Sequence, residues 1–372
     1  MSEALRIGLL FGGRSVEHEV SVVSARGVAA ALRETAHEVV PLGVTGEGRW
    51  LSPERSREIL DAEDERVRPA AEDDGVRLLI DPGGAGLLRA GAGAPAEALA
   101  IDVVFPLVHG WGGEDGRLQG ALELAGIPYV GADVLGSSTG MDKAAAKRIF
   151  QAGGLAQVPW LEFTRASYEA DAPRAQARVF DELGLPVFVK PANGGSSVGI
   201  GKVVDESGLH DAVELALAHD RKIVVERGID AREIECAVLG NDQPVASGLG
   251  EIVPSREYYD YAAKYIDGTS ELRIPAPLDA TVAARIRNDA LEAYRCLDLR
   301  GFARVDFLLD RNTGAHFLNE VNTLPGFTPI SMFPKLWEAA GLAYPRLVER
   351  LIELARERWQ AERKLRTERD RG

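Results

Sequence analysis

The sequence predicts an α/β protein of several domains, with α+β character in its later part, and three observations support this. The chain has 372 residues, more than one ordinary hydrophobic core organises. Short apolar runs alternate with helical patterns near the N-terminus, and longer strand-like runs follow further on. We therefore divide the chain into domains at 1–132, 133–229 and 230–372.

Composition narrows the class of protein. Hydrophobic residues make up 45% of the chain and charged residues 27%, which is typical of a globular protein. The formal net charge of -14 argues against a nucleic-acid partner. Cys236 and Cys296 lack metal-binding spacing, and two buried free thiols in a reducing cytoplasm are favoured over a disulfide. The sequence shows no signal peptide and no apolar run long enough to span a membrane, so we expect a cytoplasmic protein.

The first domain reads as a parallel α/β layer. A helix with Ser15 as a plausible N-cap follows the first strand, and the loop sequence GGRSVE lacks the GxGxxG pattern of NAD-binding folds. Residues 54–95 are rich in Ala, Gly, Glu and Asp and read as a variable surface excursion. The expected strands are residues 5–11, 37–44, 98–108 and 127–130, and a second helix ends near residue 125.

The second and third domains follow with different patterns. Central helices are expected at 141–152, 167–183 and 207–219, and strands at 158–163, 187–190, 198–204 and 222–226. The third domain should contain strands 233–239 and 245–252, an irregular segment 254–272 and a helix 279–297. Residues 345–371 form a highly charged helix, which we interpret as a solvated terminal helix.

A hairpin carries the sharpest chemical signal. GFARVDFLLD (301–310) and AHFLNEVN (315–322) are strand-like, and the RNTG between them is a turn signal. Strand alternation puts Arg304 with Asp306 on one face, and Glu320 with Asn322 on one face. Two carboxylates and an amide oxygen suit Mg²⁺, although a solvated face with a salt bridge is the alternative. We favour the metal site, because the following TLPGFT turn adds backbone N–H groups.

A glycine- and serine-rich loop, KPANGGSSVGIG, begins at Lys190 where a short strand ends. Such a loop lets backbone approach a phosphate, but a flexible hairpin loop is an equally good interpretation of this segment alone. It is not a Walker A motif. Together with Lys143, the segment VVERGI (224–229) and the acidic hairpin, it predicts a nucleotide held between two sheets.

Seven segments, in this order, resemble the ATP-grasp superfamily and within it the D-alanine–D-alanine ligase family. They are FGGRSVEHEVS, HGWGGEDGRLQG, MDKAAAKRIF, KPANGGSSVGI, YYDYAAKY, FARVDF and NEVNTLPGFTPISMFP. The resemblance covers nearly the whole chain. It implies an ATP-grasp fold with an N-terminal Rossmann-like domain and a lid at 255–271. The implied activity is ATP-dependent ligation of two D-alanines through a D-alanyl phosphate, for peptidoglycan precursors.

The resemblance also implies roles for particular residues. Lys143 and Lys190 would bind the ATP phosphates and Glu233 the ribose hydroxyls. The implied nucleotide-binding set is Lys143, Lys190, Ser197, Glu226, Arg227, Ile229 and Glu233. Two Mg²⁺ or Mn²⁺ ions would be bound by Asp306, Glu320 and Asn322. K⁺ is an additional candidate ion, and the family implies a homodimer.

Substrate contacts follow from the same resemblance. Glu17 would bind the ammonium of the first D-alanine, although from the sequence alone it reads as a carboxylate favoured by a helix dipole. Ser196 and Tyr265 would hydrogen-bond to Glu17. Arg304 and the backbone at Gly326 would stabilise an oxyanion. The remaining substrate-binding residues would be His109, which alone reads as a structural histidine, and Lys264 with Ser331 at the second carboxylate.

Three positions depart from the family pattern, namely Gly194, Arg227 and Ala262. Of these only Arg227 belongs to the implied nucleotide-binding set, and none of the departures removes a residue assigned to the chemistry. The nearest alternatives are a D-Ala–D-Ser or D-Ala–D-lactate ligase of the same family. The YDYxAKY pattern around Tyr265 favours D-alanine as the second substrate. A biotin-dependent carboxylase or a non-catalytic ATP-binding regulator remains a more distant alternative.

Overall fold

A computed structural model describes residues 4–62, 66, 75–78, 86–89, 97–253, 271–328 and 330–365. Three sheets organise the chain, and a small fourth sheet lies in the first domain. The strands are β1 (Arg6–Gly12), β2 (Glu38–Val44), β3 (Val76–Leu78), β4 (Leu87–Arg89), β5 (Glu97–Ala98), β6 (Val103–Pro106), β7 (Trp160–Thr164), β8 (Val187–Pro191), β9 (Gly201–Val203), β10 (Lys222–Arg227), β11 (Ala231–Leu239), β12 (Val245–Val253), β13 (Glu271–Arg273), β14 (Phe302–Asp310) and β15 (His316–Asn322).

The helices lie between these strands and after the last of them. They are α1 (His18–Leu32), α2 (Pro53–Asp61), α3 (Arg117–Leu124), α4 (Val134–Met141), α5 (Lys143–Ala152), α6 (Arg165–Ala170), α7 (Ala172–Leu183), α8 (Leu209–Leu217), α9 (Ala280–Cys296), α10 (Met332–Ala339) and α11 (Tyr344–Glu362). Within the described ranges, none of these helices has the length and apolar character needed to cross a membrane.

The first sheet confirms the predicted parallel layer. Its order is β2-β1-β6, and both pairings are parallel. β1 is buried almost throughout, as expected of a parallel strand covered on both faces. The predicted strand at 127–130 is wrong: these residues give only an isolated bridge between Tyr129 and Val104.

Two antiparallel sheets follow. The central one has the order β7-β10-β8-β9, and the larger one has the order β13-β12-β11-β14-β15. The predicted helix 167–183 is two helices, because Asp171 ends α6 and caps α7 by accepting a hydrogen bond from the N–H of Arg174. The helix at 141–152 is likewise broken at Asp142, whose side chain caps α5. Short polar side chains at such positions compete for backbone N–H groups and so end one helix and begin the next.

Other sequence expectations need correction. Helix α1 begins at His18 rather than near Ser15, and the Ser15 hydroxyl instead accepts a hydrogen bond from the N–H of Glu17. The described parts of 54–95 contain α2 and two strands of the small sheet. Residues 271–272, predicted as irregular, belong to β13, while the rest of the predicted lid lies outside the described residues. Both cysteines are free, as predicted, although only Cys236 is buried.

The charged terminal helix is not a solvated appendage. Leu347, Leu351 and Ile352 of α11 are buried in one core with residues of β1 and α1. The guanidinium of Arg358, itself buried, donates hydrogen bonds to the carbonyl oxygens of Gly131 (2.5 Å) and Tyr129 (3.1 Å). Helix α11 therefore packs against the first domain, because it carries an apolar stripe beneath its charges.

Candidate active site

A cleft of about 1000 Å³ lies where the central and the larger antiparallel sheet meet. Glu17 reaches it from the first domain. The other predicted site residues that line it are Lys143, Lys190, Ser196, Ser197, Glu226, Arg227, Ile229, Glu233, Arg304, Asp306, Glu320, Asn322, Gly326 and Ser331. The fold therefore brings together side chains that are as far apart in the sequence as Glu17 and Ser331.

The glycine- and serine-rich loop closes around Glu17. Ser196 donates a hydrogen bond from its hydroxyl to the Glu17 carboxylate. A Cβ at Gly195 would lie 3.0 Å from Glu17 Oε2, and one at Gly110 would lie 2.6 Å from the same atom. Glycine is thus required where two loops approach one buried carboxylate. The Glu17 side chain makes no cap to α1, so its contacts are with the cleft and not with its own helix.

The base of this loop is fixed to the start of α5. The Asn193 amide donates to Asp142 (3.2 Å) and to Asp220 (2.9 Å). Lys222 donates to the same Asp142 oxygen. The Lys143 ammonium donates to the carbonyl oxygen of Gly194 at 2.7 Å. Ser196 has a positive φ of 47°, which is uncommon outside glycine, and these anchors hold the loop in that conformation.

The strands β14 and β15 form the predicted hairpin, and its turn places Asp306 opposite residues 319–320, as the position of the RNTG turn predicts. Arg304 pairs across the strands with Asn322, and Asp306 pairs with Glu320, next to a β-bulge. Arg304 donates two hydrogen bonds of 2.7 Å to the two oxygens of Asp306. Its Nε also lies 3.1 Å from Glu235, a buried carboxylate on β11. Burial alone would lower the pKa of Arg304, but these carboxylates outweigh burial and raise the pKa well above its ordinary value.

The acidic hairpin is joined to the opposite side of the cleft by an ion pair. Lys143 Nζ lies 3.4 Å from Glu320. Within the described residues no group of three or more His, Cys, Asp or Glu side chains could hold a metal. A metal here would therefore need the Asn322 amide as a third protein ligand. Two carboxylates and one amide fit Mg²⁺, which ordinarily takes one or two carboxylates and completes its shell with phosphate oxygens and water.

A buried carboxylate lies between two lysines at the other end of the cleft. Glu226 accepts from Lys190 Nζ at 2.6 Å, and Lys147 Nζ lies 2.9 Å from its second oxygen. Burial by itself would raise the pKa of Glu226, but the two lysine charges outweigh it and lower the pKa to about 2. Neighbouring Arg227 is exposed, and its guanidinium donates to the carbonyl oxygens of Leu183 and Glu182 at the end of α7.

His109 belongs to a buried polar cluster behind Glu17. Its Nδ1 faces Glu114 (3.4 Å) and the carbonyl oxygen of Leu324 (3.1 Å), and its Nε2 lies 3.2 Å from the Ser24 hydroxyl. Burial lowers the pKa of His109, but Glu114 and Glu17 outweigh burial and raise it. Burial also raises the pKa of Glu114. His109 thus links the first domain to the turn after β15.

That turn provides the predicted Gly326 and Ser331. The hydroxyls of Ser331 and Thr328 share a hydrogen bond of 2.7 Å, and the N–H of Thr328 donates to Ser331. A Cβ at Gly326 would lie 3.0 Å from the Ser331 hydroxyl, so glycine permits this close turn. The predicted Tyr265 and Lys264, and the departure at Ala262, lie outside the described residues.

Sequence reasoning missed three charged side chains at this site. Glu114 lies within the quoted HGWGGEDG segment, and Lys147 lies one helical turn after Lys143 in MDKAAAK. The i, i+4 spacing of Lys143 and Lys147 places both lysines on one face of a helix, and this spacing could have identified Lys147 as a site residue. The sequence around Glu235 contains no comparable signal, since nothing local distinguishes it from a charged residue on an exposed strand face.

Comparison with known proteins agrees with this geometry. The family model described as D-ala D-ala ligase N-terminus matches residues 6–132, and the D-ala D-ala ligase C-terminus model matches residues 149–353. A D-alanine--D-alanine ligase from Acetivibrio thermocellus is 44% identical over 372 residues, covering 96% of this chain and 98% of the relative.

Comparison with solved structures also finds ligases of this kind. The VanG D-Ala:D-Ser ligase from Enterococcus faecalis has a TM-score of 0.82 at 34% identity, covering 95% of this chain and 100% of that one. The D-alanine-D-alanine ligase from Coxiella burnetii has a TM-score of 0.82 at 34% identity, covering 98% and 97%. The fold is thus that of the ATP-grasp ligases, as predicted. Within that class, the chain belongs to the D-alanine–D-alanine ligase family.

Proposed function

We propose that this chain joins two D-alanines in an ATP-dependent reaction that passes through a D-alanyl phosphate and releases ADP and phosphate. The dipeptide would serve peptidoglycan precursor synthesis, and thereby cell-wall formation, in the cytoplasm. One observation carries the proposal above the others. The serine of a small-residue loop hydrogen-bonds to Glu17 at the same cleft that receives two lysines and the Arg304–Asp306–Glu320 hairpin.

The first half of the reaction needs one amino acid and one nucleotide in line. Glu17 would pair with the ammonium of the first D-alanine, whose carboxylate would then attack the γ-phosphoryl group of ATP. Lys143, Lys190 and Ser197 would bind the phosphates, while Glu226, Arg227, Ile229 and Glu233 would surround the nucleoside. Holding both reactants in one cleft converts a bimolecular encounter into an oriented reaction.

Asp306, Glu320 and Asn322 would bind two Mg²⁺ or Mn²⁺ ions, which neutralise charge on the transferring phosphoryl group. K⁺ remains an additional candidate. Arg304 stays ionised beside Asp306 and can stabilise negative charge that develops at the reacting carbonyl. Its donors are fixed before reaction, which is the condition for effective electrostatic stabilisation.

The second half forms the peptide bond. The amine of the second D-alanine attacks the carbonyl carbon of the D-alanyl phosphate, and phosphate leaves. The backbone at Gly326 would support the oxyanion, and His109 would lie near the first substrate. Ser331, with Lys264, would bind the second carboxylate, and Tyr265 would complete a hydrogen-bonded chain through Ser196 to Glu17. We also propose the domain division 1–132, 133–229 and 230–372, a lid at 255–271 and a homodimer.

The decisive experiment mixes purified protein with ATP, Mg²⁺ and D-alanine and measures phosphate and dipeptide together, the latter by mass. Parallel reactions replace the second substrate with D-serine, D-lactate or L-alanine. We expect equal amounts of phosphate and D-alanyl-D-alanine, with little product from the others. A dominant D-serine or D-lactate product would refute the substrate assignment, and ATP binding without turnover would refute the ligase.

A further inference from the structure

A lysine that sequence reasoning left unassigned lies directly behind the cleft. Lys147 is only 1% exposed and stands on α5 one turn after Lys143. Its ammonium pairs with one Glu226 oxygen at 2.9 Å, while Lys190 pairs with the other at 2.6 Å. One buried carboxylate therefore has two cationic partners, and the second of them lines the cleft.

Lys190 and Glu320 also act electrostatically on Lys147, and an apolar cluster begins one turn before it on α5. The nearby buried side chains of Ala144, Ala192 and Val224 form a small core cluster, with Trp160 packed against it. Burial lowers the pKa of Lys147, and the charge of Glu226, 2.9 Å away, is the main influence that opposes burial and favours the ammonium form. For stability alone, an apolar side chain of similar volume would serve as well or better, because burying an ion pair costs hydration.

Lys190 faces a conflict that Lys147 resolves. A phosphate that binds the Lys190 ammonium competes with Glu226 for it and, where it draws the ammonium away, breaks the 2.6 Å ion pair. A carboxylate that is 3% exposed would then lose its hydrogen-bonded cation, and an uncompensated buried charge is strongly unfavourable. A second cation on the other carboxylate oxygen removes this penalty.

We propose that Lys147 is a positioning residue that keeps Glu226 paired while Lys190 exchanges that carboxylate for a nucleotide phosphate. The inference rests on the proposed function, because it requires a phosphorylated nucleotide in the cleft. It assigns Lys147 no contact with substrate. It predicts that Lys147 affects triphosphate binding far more than nucleoside binding, since adenosine makes no demand on Lys190.

The test measures binding of a non-hydrolysable ATP analogue and of adenosine by calorimetry, for the unmodified protein and for Lys147→Met. Methionine keeps the length of the side chain and removes its charge. We expect affinity for the ATP analogue to fall by about 10-fold or more, from the penalty for an unpaired buried charge. Adenosine affinity should change by less than about 3-fold, and KM for D-alanine should change as little. Lys364→Met, an exposed lysine outside the cleft, is the matched control.

A double-mutant cycle separates this role from a structural one. With Glu226→Gln there is no carboxylate to neutralise, so adding Lys147→Met should change affinity for the ATP analogue by less than about 3-fold. Equal losses in both backgrounds, or equal losses for adenosine and the ATP analogue, would overturn the inference. If Lys147→Met alone does not fold, the two variants carrying Glu226→Gln still test the inference, because a loss of more than about 3-fold on adding Lys147→Met to Glu226→Gln would overturn it. Failure of the unmodified protein to bind the ATP analogue would instead refute the proposed function.

Discussion

Replacing Arg304 with methionine tests the electrostatic design of the hairpin. The guanidinium forms two hydrogen bonds of 2.7 Å with Asp306 and lies 3.1 Å from Glu235. The side chains of these carboxylates are 13% and 7% exposed. Arg304→Met therefore leaves two poorly hydrated anions next to Glu320 without their cation. Breaking a buried pair in this way costs about 3–5 kcal/mol, which we expect as the loss in free energy of unfolding.

The assay is urea unfolding followed by fluorescence, with and without Mg²⁺, together with turnover. Added Mg²⁺ should recover part of the lost stability, because a cation that binds only the folded state stabilises it. Turnover should fall by about 10²–10³-fold, as when a preorganised oxyanion donor is removed.

Arg311→Met is the control for Arg304→Met. Arg311 lies on the same hairpin, but its ion pair with Asp230 is exposed, at 48% and 67%. Such a pair contributes about 0–1 kcal/mol. Equal stability losses in Arg304→Met and Arg311→Met would show that the buried pairing described above is not what stabilises the hairpin.

Three further predictions concern other parts of the site and fold. Ser196→Ala removes a hydrogen bond to the Glu17 carboxylate, and such a bond contributes about 1.5–3 kcal/mol. Steady-state kinetics should therefore show that KM for the first D-alanine rises about 10–100-fold. An unchanged KM would contradict the role proposed for this hydrogen bond. Gly113→Ala puts a Cβ 1.8 Å from the carbonyl oxygen of Val108, whereas a Cβ at Gly248 meets nothing within 4 Å. Thermal unfolding should therefore show a substantially lower unfolding temperature for Gly113→Ala and little change for the control, Gly248→Ala. The pKa of Glu226 lies at about 2 in the folded protein, against an ordinary 4.5, so its stabilising contribution is present above pH 4.5 and is lost as pH falls towards 2. We expect urea unfolding at a series of pH values to show that the free energy of unfolding falls by about 3 kcal/mol over this range. The Glu226→Gln variant should show no such fall.

The hairpin shows what the sequence can predict well. Its turn residues and strand alternation are local properties, and they placed Asp306 roughly opposite residues 319–320, where the structure pairs it with Glu320. The β-bulge next to that pair was not predicted, because no single residue in either strand signals it. The small-residue loop was predicted only in part. Its composition indicated that its backbone can approach another group closely, but only the family resemblance identified Glu17 as a group that it contacts.

Long-range packing accounts for the errors. The charges of α11 suggested solvent, yet Arg358 is buried because two carbonyl oxygens from residues 129 and 131 receive its hydrogen bonds. No property of the helix itself identifies those acceptors. The same holds for Glu235, whose burial follows from the neighbouring β14 strand bringing Arg304 beside it. Local patterns predict elements, but the partner of a buried charge depends on the tertiary fold.

The charged side chains of the site are arranged as pairs of opposite charge, and this has a consequence for binding. Lys143 pairs with Glu320, Lys190 pairs with Glu226, and Arg304 pairs with Asp306. The two lysines proposed to bind phosphate and the arginine proposed to stabilise the oxyanion thus each hold an acidic group, and two of these acidic groups, Glu320 and Asp306, are proposed metal ligands. Phosphate alone would separate a lysine from its carboxylate, and a metal ion alone would displace a cation from its anion. A nucleotide that arrives with its metal ions brings both signs of charge and can exchange with both members of a pair. For the Lys143–Glu320 pair, the electrostatics therefore favour the metal–nucleotide complex over either component, because the phosphate can pair with the lysine and the metal ion with the carboxylate.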